Sequence, residues 1–156
     1  MNADELKAIL DAHNLWLESD GEKGERANLR WADLRWANLS GANLRLSNLS
    51  GANLRWSNLS EANLSEANLV GADPSEANLV GANLVGADID YSAWPLCCGS
   101  NRVKVDARIA AQLAAHFCAL DCDDPGYLAA RAAIMDFAKT SHRAGELGLL
   151  EDGDAN

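Results

Sequence analysis

Arginine and tryptophan recur together in the first half of the chain, as Arg30-Trp31, Arg35-Trp36 and Arg55-Trp56, with Arg45 followed by Leu46. These are the residue types that most often dominate protein–protein interfaces. A guanidinium over an indole adds about 0.5–2 kcal/mol. If exposed, their chemistry is non-covalent recognition of a protein partner; if covered by the chain's own N-terminal or C-terminal helices, they are packing. A second set, Cys97, Cys98, His116, Cys118 and Cys122, invites a zinc site, but adjacent cysteines lack the two-residue gap of a zinc knuckle. His116 and Cys118 also point to different sides of a helix, so free thiols are the better reading. A third set, Asp33, Glu61, Glu66, Asp73 and Glu76, is an alternative acidic face. Catalysis finds little support. The three histidines (His13, His116, His142) fall in or near helical segments, and no Gly-rich phosphate loop, HExxH or GxSxG motif occurs. The expectation is a non-enzyme without cofactor or metal.

What positions the Arg and Trp residues is a period of five. From Ala27 to Tyr91 the chain cuts without insertion into ANLRW, ADLRW, ANLSG, ANLRL, SNLSG, ANLRW, SNLSE, ANLSE, ANLVG, ADPSE, ANLVG, ANLVG and ADIDY. The third position is Leu except at Pro74 and Ile89; the first is Ala except at Ser47 and Ser57; the second is always Asn or Asp. Such a period fits neither a helix nor a simple strand. It indicates a solenoid whose units bury their apolar faces against their neighbours.

The motif Ala-(Asp/Asn)-Leu-x-x resembles that of the pentapeptide-repeat proteins. The resemblance implies a β-solenoid: a right-handed, quadrilateral β-helix with four units per coil, and hence about three coils here. Leu and the small residue two before it would point inward, and the Asn/Asp and the last two positions outward. Residues 20 apart would then share a column, with Arg35 under Arg55 and Trp36 under Trp56. Pro74 should lose one inter-coil hydrogen bond and pack loosely. The outward Val70, Ser75, Val80 and Val85 of the third coil ask for apolar cover, from the C-terminal helices or from a second copy in a homodimer through that region.

The flanks divide the chain into 1–25, an N-terminal helix and loop acting as a lid; 26–91, the repeats; 92–145, a C-terminal cap with two helices; and 146–156, an acidic tail. Leu6, Ile9, Leu10, His13 and Leu17 share a helical face, Asn2 and Glu5 have capping-box spacing, and SDGEKG ends the helix. Asp106 starts a helix carrying Ile109, Leu113, Phe117 and Leu120. Asp124-Pro125 starts another, with Leu128, Ile134, Met135 and Ala138, expected to end near Gly145. The tail EDGDAN reads as disordered. HNLWL and WPLCCGS resemble the flanks of short pentapeptide-repeat proteins from bacteria and their phages, which implies an accessory role such as inhibition of a host enzyme or defence complex.

Across 156 residues the net charge is −10, which argues against direct nucleic-acid binding. No apolar run spans a membrane and the start MNADELK is acidic, so a cytoplasmic protein with reduced thiols is expected. The family resemblance also implies an alternative, mimicry of duplex DNA toward gyrase, topoisomerase or another DNA-binding protein. Within 27–91, however, seven carboxylates face four arginines, a net of only −3. A protein partner bound through Arg30, Trp31, Arg35, Trp36, Arg45, Arg55 and Trp56 is the leading expectation.

Overall fold

A computed structural model describes residues 1–93, 102–147 and 149–150. The chain divides into two compact units, Met1–Lys104 and Val105–Asn156.

In the first unit the pentad builds its own corner. In all thirteen units the Oδ1 of the Asn or Asp at position two accepts the backbone N–H two residues on. In all thirteen the carbonyl at position three accepts the N–H three residues on, as from Ala32 to Leu29 at 3.1 Å. Position five always has a positive φ, between 56° and 74°. A four-residue turn with left-handed backbone only at its third residue is a type II turn. The Asn/Asp side chains, expected to point outward, are half-buried for most of the wall because they brace these corners.

Each unit then pairs with the unit four further on. Parallel bridges join Asn28 to Asn48, Asp33 to Asn53, and so on to Asn68 with Asp88. Leu29 N–H donates to the Asn48 carbonyl at 2.7 Å and Asn48 N–H to the Ala27 carbonyl at 3.0 Å. Among the described residues these contacts remain isolated bridges rather than continuous strands, because a turn interrupts the wall every five residues. The repeat leucines are sealed inside, from 0% exposed at Leu44, Leu49, Leu54 and Leu64 to 5% at Leu69. Burial of each contributes about 1.5–3 kcal/mol. The inward hydroxyls of Ser47 and Ser57 donate to the carbonyls of Leu44 and Leu54, both at 2.6 Å, so their burial leaves no polar atom without a partner.

Pro74 is buried and brings no N–H to the edge, where its neighbour Leu69 donates to Asp88. It borders an apolar cavity of about 20 Å³ shared with Leu54, Leu79 and Ile89. After Tyr91 the chain returns to the wall at Lys104, which the sequence alone placed beyond the repeats. Lys104 pairs with Asn83, donating to the Ala82 carbonyl and accepting from Leu84 N–H, both at 2.8 Å.

Helix α1 (Ala3–Glu18) opens with the capping box of Asn2 and Glu5. Its Leu6 and His13 are buried. The chain then turns back so tightly that Glu25 N–H donates to the Ala12 carbonyl at 3.1 Å.

In the second unit, α2 (Ala107–Cys118) is capped by Asp106 and α3 (Pro125–Ala138) by Asp124, with Pro125 at its first position. They are tied by Arg131 Nε donating to the Cys118 carbonyl at 2.7 Å, around a core of Ala115, Cys118, Ala138, Ala144 and Leu149. Three expectations change here. Leu120 lies past the end of α2 and is exposed, its carbonyl facing the Tyr127 hydroxyl instead. Helix α3 stops at Ala138, not near Gly145, and Thr140 and Ser141 continue as turns onto the carbonyls of Phe137 and Ala138. The segment after 145 is not all tail, since Leu149 is buried and its N–H donates to Ala144. EDGDAN itself lies outside the described residues, as does WPLCCGS. No helix among the described residues is long and apolar enough to cross a membrane.

Candidate interaction face

Because the side chain at position five leaves a left-handed corner, it leans over the next coil. Trp36 thereby stacks on Trp56, ring centroids 4.9 Å apart and 10° from parallel. The Arg55 guanidinium lies 4.6 Å from the Trp56 centroid, completing a sandwich of indole, indole and cation. Trp31 lies over Gly51, its ring where a β-carbon at that position would stand, with Arg30 at 5.6 Å. Trp31 and Trp36 are about 70% exposed and Trp56 39%. A non-glycine residue in left-handed backbone costs about 1–2 kcal/mol. Holding three tryptophans there (φ 59°, 62° and 56°) spends stability on exposed apolar rings.

Three of the four repeat arginines are matched by carboxylates. Arg35 grips Asp33 with two hydrogen bonds, at 2.8 and 2.6 Å, Arg45 meets Glu66 at 3.0 Å and Arg55 meets Asp73 at 3.3 Å. The hydrogen bonds from the Arg35 side chain, then from its backbone N–H, hold the Asp33 carboxyl down at about 2. Partial burial pushes Asp73 up, but the hydroxyl and N–H of Ser75, with Arg55, outweigh it and leave Asp73 below its ordinary value. Of the alternative acidic face, then, Asp33, Glu66 and Asp73 are taken up by arginines. Glu61 and Glu76 have no ion-pair partner among the described residues.

Thus the structure brings Arg35, Trp36, Arg55 and Trp56 together and sets Arg30 and Trp31 beside Gly51. Arg45 is tied to Glu66 in another column. The outward valines differ among themselves, Val70 and Val80 being half-buried and Val85 exposed. Of the thiol and imidazole set, Cys97 and Cys98 lie outside the described residues, Cys118 is buried and Cys122 exposed. No group of three metal-ligating side chains occurs among the described residues.

Sequence reasoning missed the polar role of His13. It is fully buried, its Nδ1 accepting from Ala27 N–H at 3.1 Å and its Nε2 3.0 Å from the Arg45 carbonyl. With Nδ1 as acceptor, the proton must sit on Nε2 and the ring must be neutral. Burial lowers its pKa, the Arg45 carbonyl acts upward, and nearby Arg26 lowers it further. The available signal was a histidine on the apolar face of a helix beside a repeat edge with unpaired carbonyls.

A family profile described as "Pentapeptide repeats (8 copies)" matches residues 27–65 and 57–90. Among solved structures, the pentapeptide repeat protein Rfr23 from the cyanobacterium Cyanothece 51142 is 36% identical over 51% of this chain, with a TM-score of 0.29. The match spans 54% of that chain, about half its length. The pentapeptide repeat protein alr5209 from Nostoc Pcc 7120 is 24% identical over 64% of this chain and 96% of its own, with a TM-score of 0.28. QnrB1, a plasmid-mediated fluoroquinolone resistance protein, is 23% identical over 52% of this chain and 41% of its own, with a TM-score of 0.31. No curated protein matches the chain.

Proposed function

We propose that this chain, whose residues 27–90 belong to the pentapeptide-repeat family, is a non-enzymatic protein-binding module. In this reading a right-handed quadrilateral β-helix of about three coils is a rigid display, with α1 as the lid of its first coil. The observation that carries it is the sandwich of Trp36, Trp56 and Arg55, two exposed indoles stacked one coil apart with a guanidinium against them. Pre-stacked rings on a fixed backbone incur little ordering cost on binding. Since Arg35 and Arg55 are already matched by Asp33 and Asp73, recognition rests on ring contact rather than net charge. The likeness of HNLWL and WPLCCGS to phage-borne relatives adds an accessory role, inhibition of a host enzyme or defence complex. DNA mimicry toward gyrase or another DNA-binding protein is the second reading, and the pairing of three of its five carboxylates weighs against it.

The test is the double variant Trp36→Gly/Trp56→Gly beside Glu61→Gln/Glu76→Gln. Five corners already hold glycine, so the first variant relieves backbone strain while losing a stacked pair of about 0.5–1.5 kcal/mol, and its stability should stay within about 1 kcal/mol of the parent. Partner capture should fall at least about thirtyfold with the tryptophan variant, matching a hot-spot loss of about 2 kcal/mol. It should survive the glutamine variant and added salt. Capture that instead tracks the two glutamates and collapses with salt would favour mimicry.

A further inference from the structure

Helix α3 meets α2 along one stripe, in which Tyr127, Arg131, Ile134 and Ala138 recur at spacings of four, three and four. The Tyr127 ring lies 5.1 Å from that of Phe117, Arg131 reaches the Cys118 carbonyl, and Ile134 and Ala138 join the core of the unit. One residue on, and so about 100° round the helix, a second stripe runs through Leu128, Ala132 and Met135. Leu128 is 45% exposed, Ala132 is exposed and Met135 half-buried. The helix holds only two charges, and neither shields this stripe: Arg131 is turned to the Cys118 carbonyl and Asp136 stands exposed at the rim. A helix that is apolar beyond the side on which it packs calls for a second neighbour.

The two ends of the stripe carry opposite charge. Asp124 stands at its start, behind Asp121 and Asp123, and Lys139 at its end, and none of them has an ion-pair partner among the described residues. Asp124 commits Oδ1 to the Tyr127 N–H, which leaves Oδ2 to accept from elsewhere. Laid antiparallel on a copy of itself, the stripe is self-complementary. A two-fold axis passing between Arg131 and Ala132 sets Asp124 against Lys139 of the second copy. The same axis sets Leu128 against Met135 of the second copy and brings the two Ala132 residues together, where their small side chains permit close approach. One axis thus satisfies the charged pairing and the apolar one, and antiparallel helix dipoles favour the arrangement.

We propose that α3 pairs antiparallel with α3 of a second copy of this chain, through Asp124, Leu128, Ala132, Met135 and Lys139. The contact is isologous, so each pairing is made twice. It gives a face and a register to the homodimer expected through the C-terminal region. It stands apart from the tryptophan sandwich and from the partner proposed for it. One helical stripe falls short of the roughly 800 Å² per partner of a standard interface, so this dimer is a weak one that forms as concentration rises.

The test is sedimentation velocity on the full chain, with reductant present so that the exposed Cys122 cannot link two copies. Between about 10 μM and about 1 mM the chain should pass reversibly from monomer toward dimer. Leu128→Gln should weaken that association at least about tenfold, and Lys139→Glu, which sets a like charge against Asp124, at least about fivefold, with the latter effect shrinking in added salt. Circular dichroism of both variants should match the parent, since both side chains lie on the outside of α3. Phe137→Ala, on the opposite side of α3, and Trp36→Gly/Trp56→Gly should leave the association within about twofold of the parent. Three outcomes overturn the proposal. They are a chain that stays monomeric throughout, which would leave the stripe to a different partner; a dimer that survives Leu128→Gln; and a dimer lost with Phe137→Ala or with the tryptophan variant.

Discussion

Replacing His13 by Phe separates what its ring fills from what its nitrogens do. Phenylalanine keeps an aromatic ring in the place stacked on Trp16, at 5.8 Å between centroids, but cannot serve Ala27 N–H or the Arg45 carbonyl. A buried backbone group left without a partner costs about 1–3 kcal/mol, so His13→Phe should lose about 2–4 kcal/mol. For a unit the size of Met1–Lys104 this lowers the melting temperature by roughly 10–20 °C. The parent should also carry a pH signature that the variant lacks. The His13 pKa is lowered in the folded state, so the unfolded chain takes up a proton near 6.5 that the folded chain refuses. Its contribution is therefore full above 6.5 and is lost as pH falls through the lower folded value. Thermal melts between pH 8 and pH 5 should show the parent losing more stability than His13→Phe across that window. A variant as stable as the parent, or an identical pH profile in the two, would refute the neutral-bridge assignment.

Other expectations follow from the same wall. Leu59→Ala should cost about 2–5 kcal/mol, while Ser60→Ala on the adjacent outward position stays within about 0.5 kcal/mol, both read by denaturant melts; equal effects would contradict the inward–outward assignment. Pro74→Leu should be neutral or stabilising by up to about 1 kcal/mol, since it fills the adjoining cavity and restores an N–H at the edge; a drop in melting temperature would show that the proline holds a bend. Gly24→Ala would drive a β-carbon into the Ala12 carbonyl and should cost more than about 2 kcal/mol. Gly41→Ala, with open space around it, should show only the left-handed penalty of about 1 kcal/mol, and similar melts for the two would undo this ranking.

The repeats were legible because thirteen units repeat one short rule, and each unit's geometry is local. The pairing of Trp36 with Trp56 followed from a spacing of twenty once four units per coil were assumed. The sequence did not show which arginine meets which carboxylate: Arg35 pairs two residues back, Arg55 eighteen ahead and Arg45 twenty-one ahead. Those choices depend on how long side chains drape over neighbouring coils. Nor did it show that Asn and Asp are interchangeable because only Oδ1 is used at the corner. The error at α3 has a physical origin as well. Ala-rich sequence near its end has helix propensity, but the Thr140 hydroxyl takes the Phe137 carbonyl at 2.7 Å and diverts the chain into turns.

The self-contained corner has a consequence for how such a chain can change length. Every corner closes through its own side-chain oxygen and its own left-handed residue, so removing five residues would leave no broken turn behind. It would, however, rotate everything downstream by a quarter of a revolution about the axis. A deletion between Trp36 and Trp56 would stand those rings over different walls, and one between Arg55 and Asp73 would part that ion pair. Only a change of twenty residues preserves both the fold and the columns. Length variation in this molecule is thus free in steps of five for architecture but in steps of twenty for the pattern that it displays.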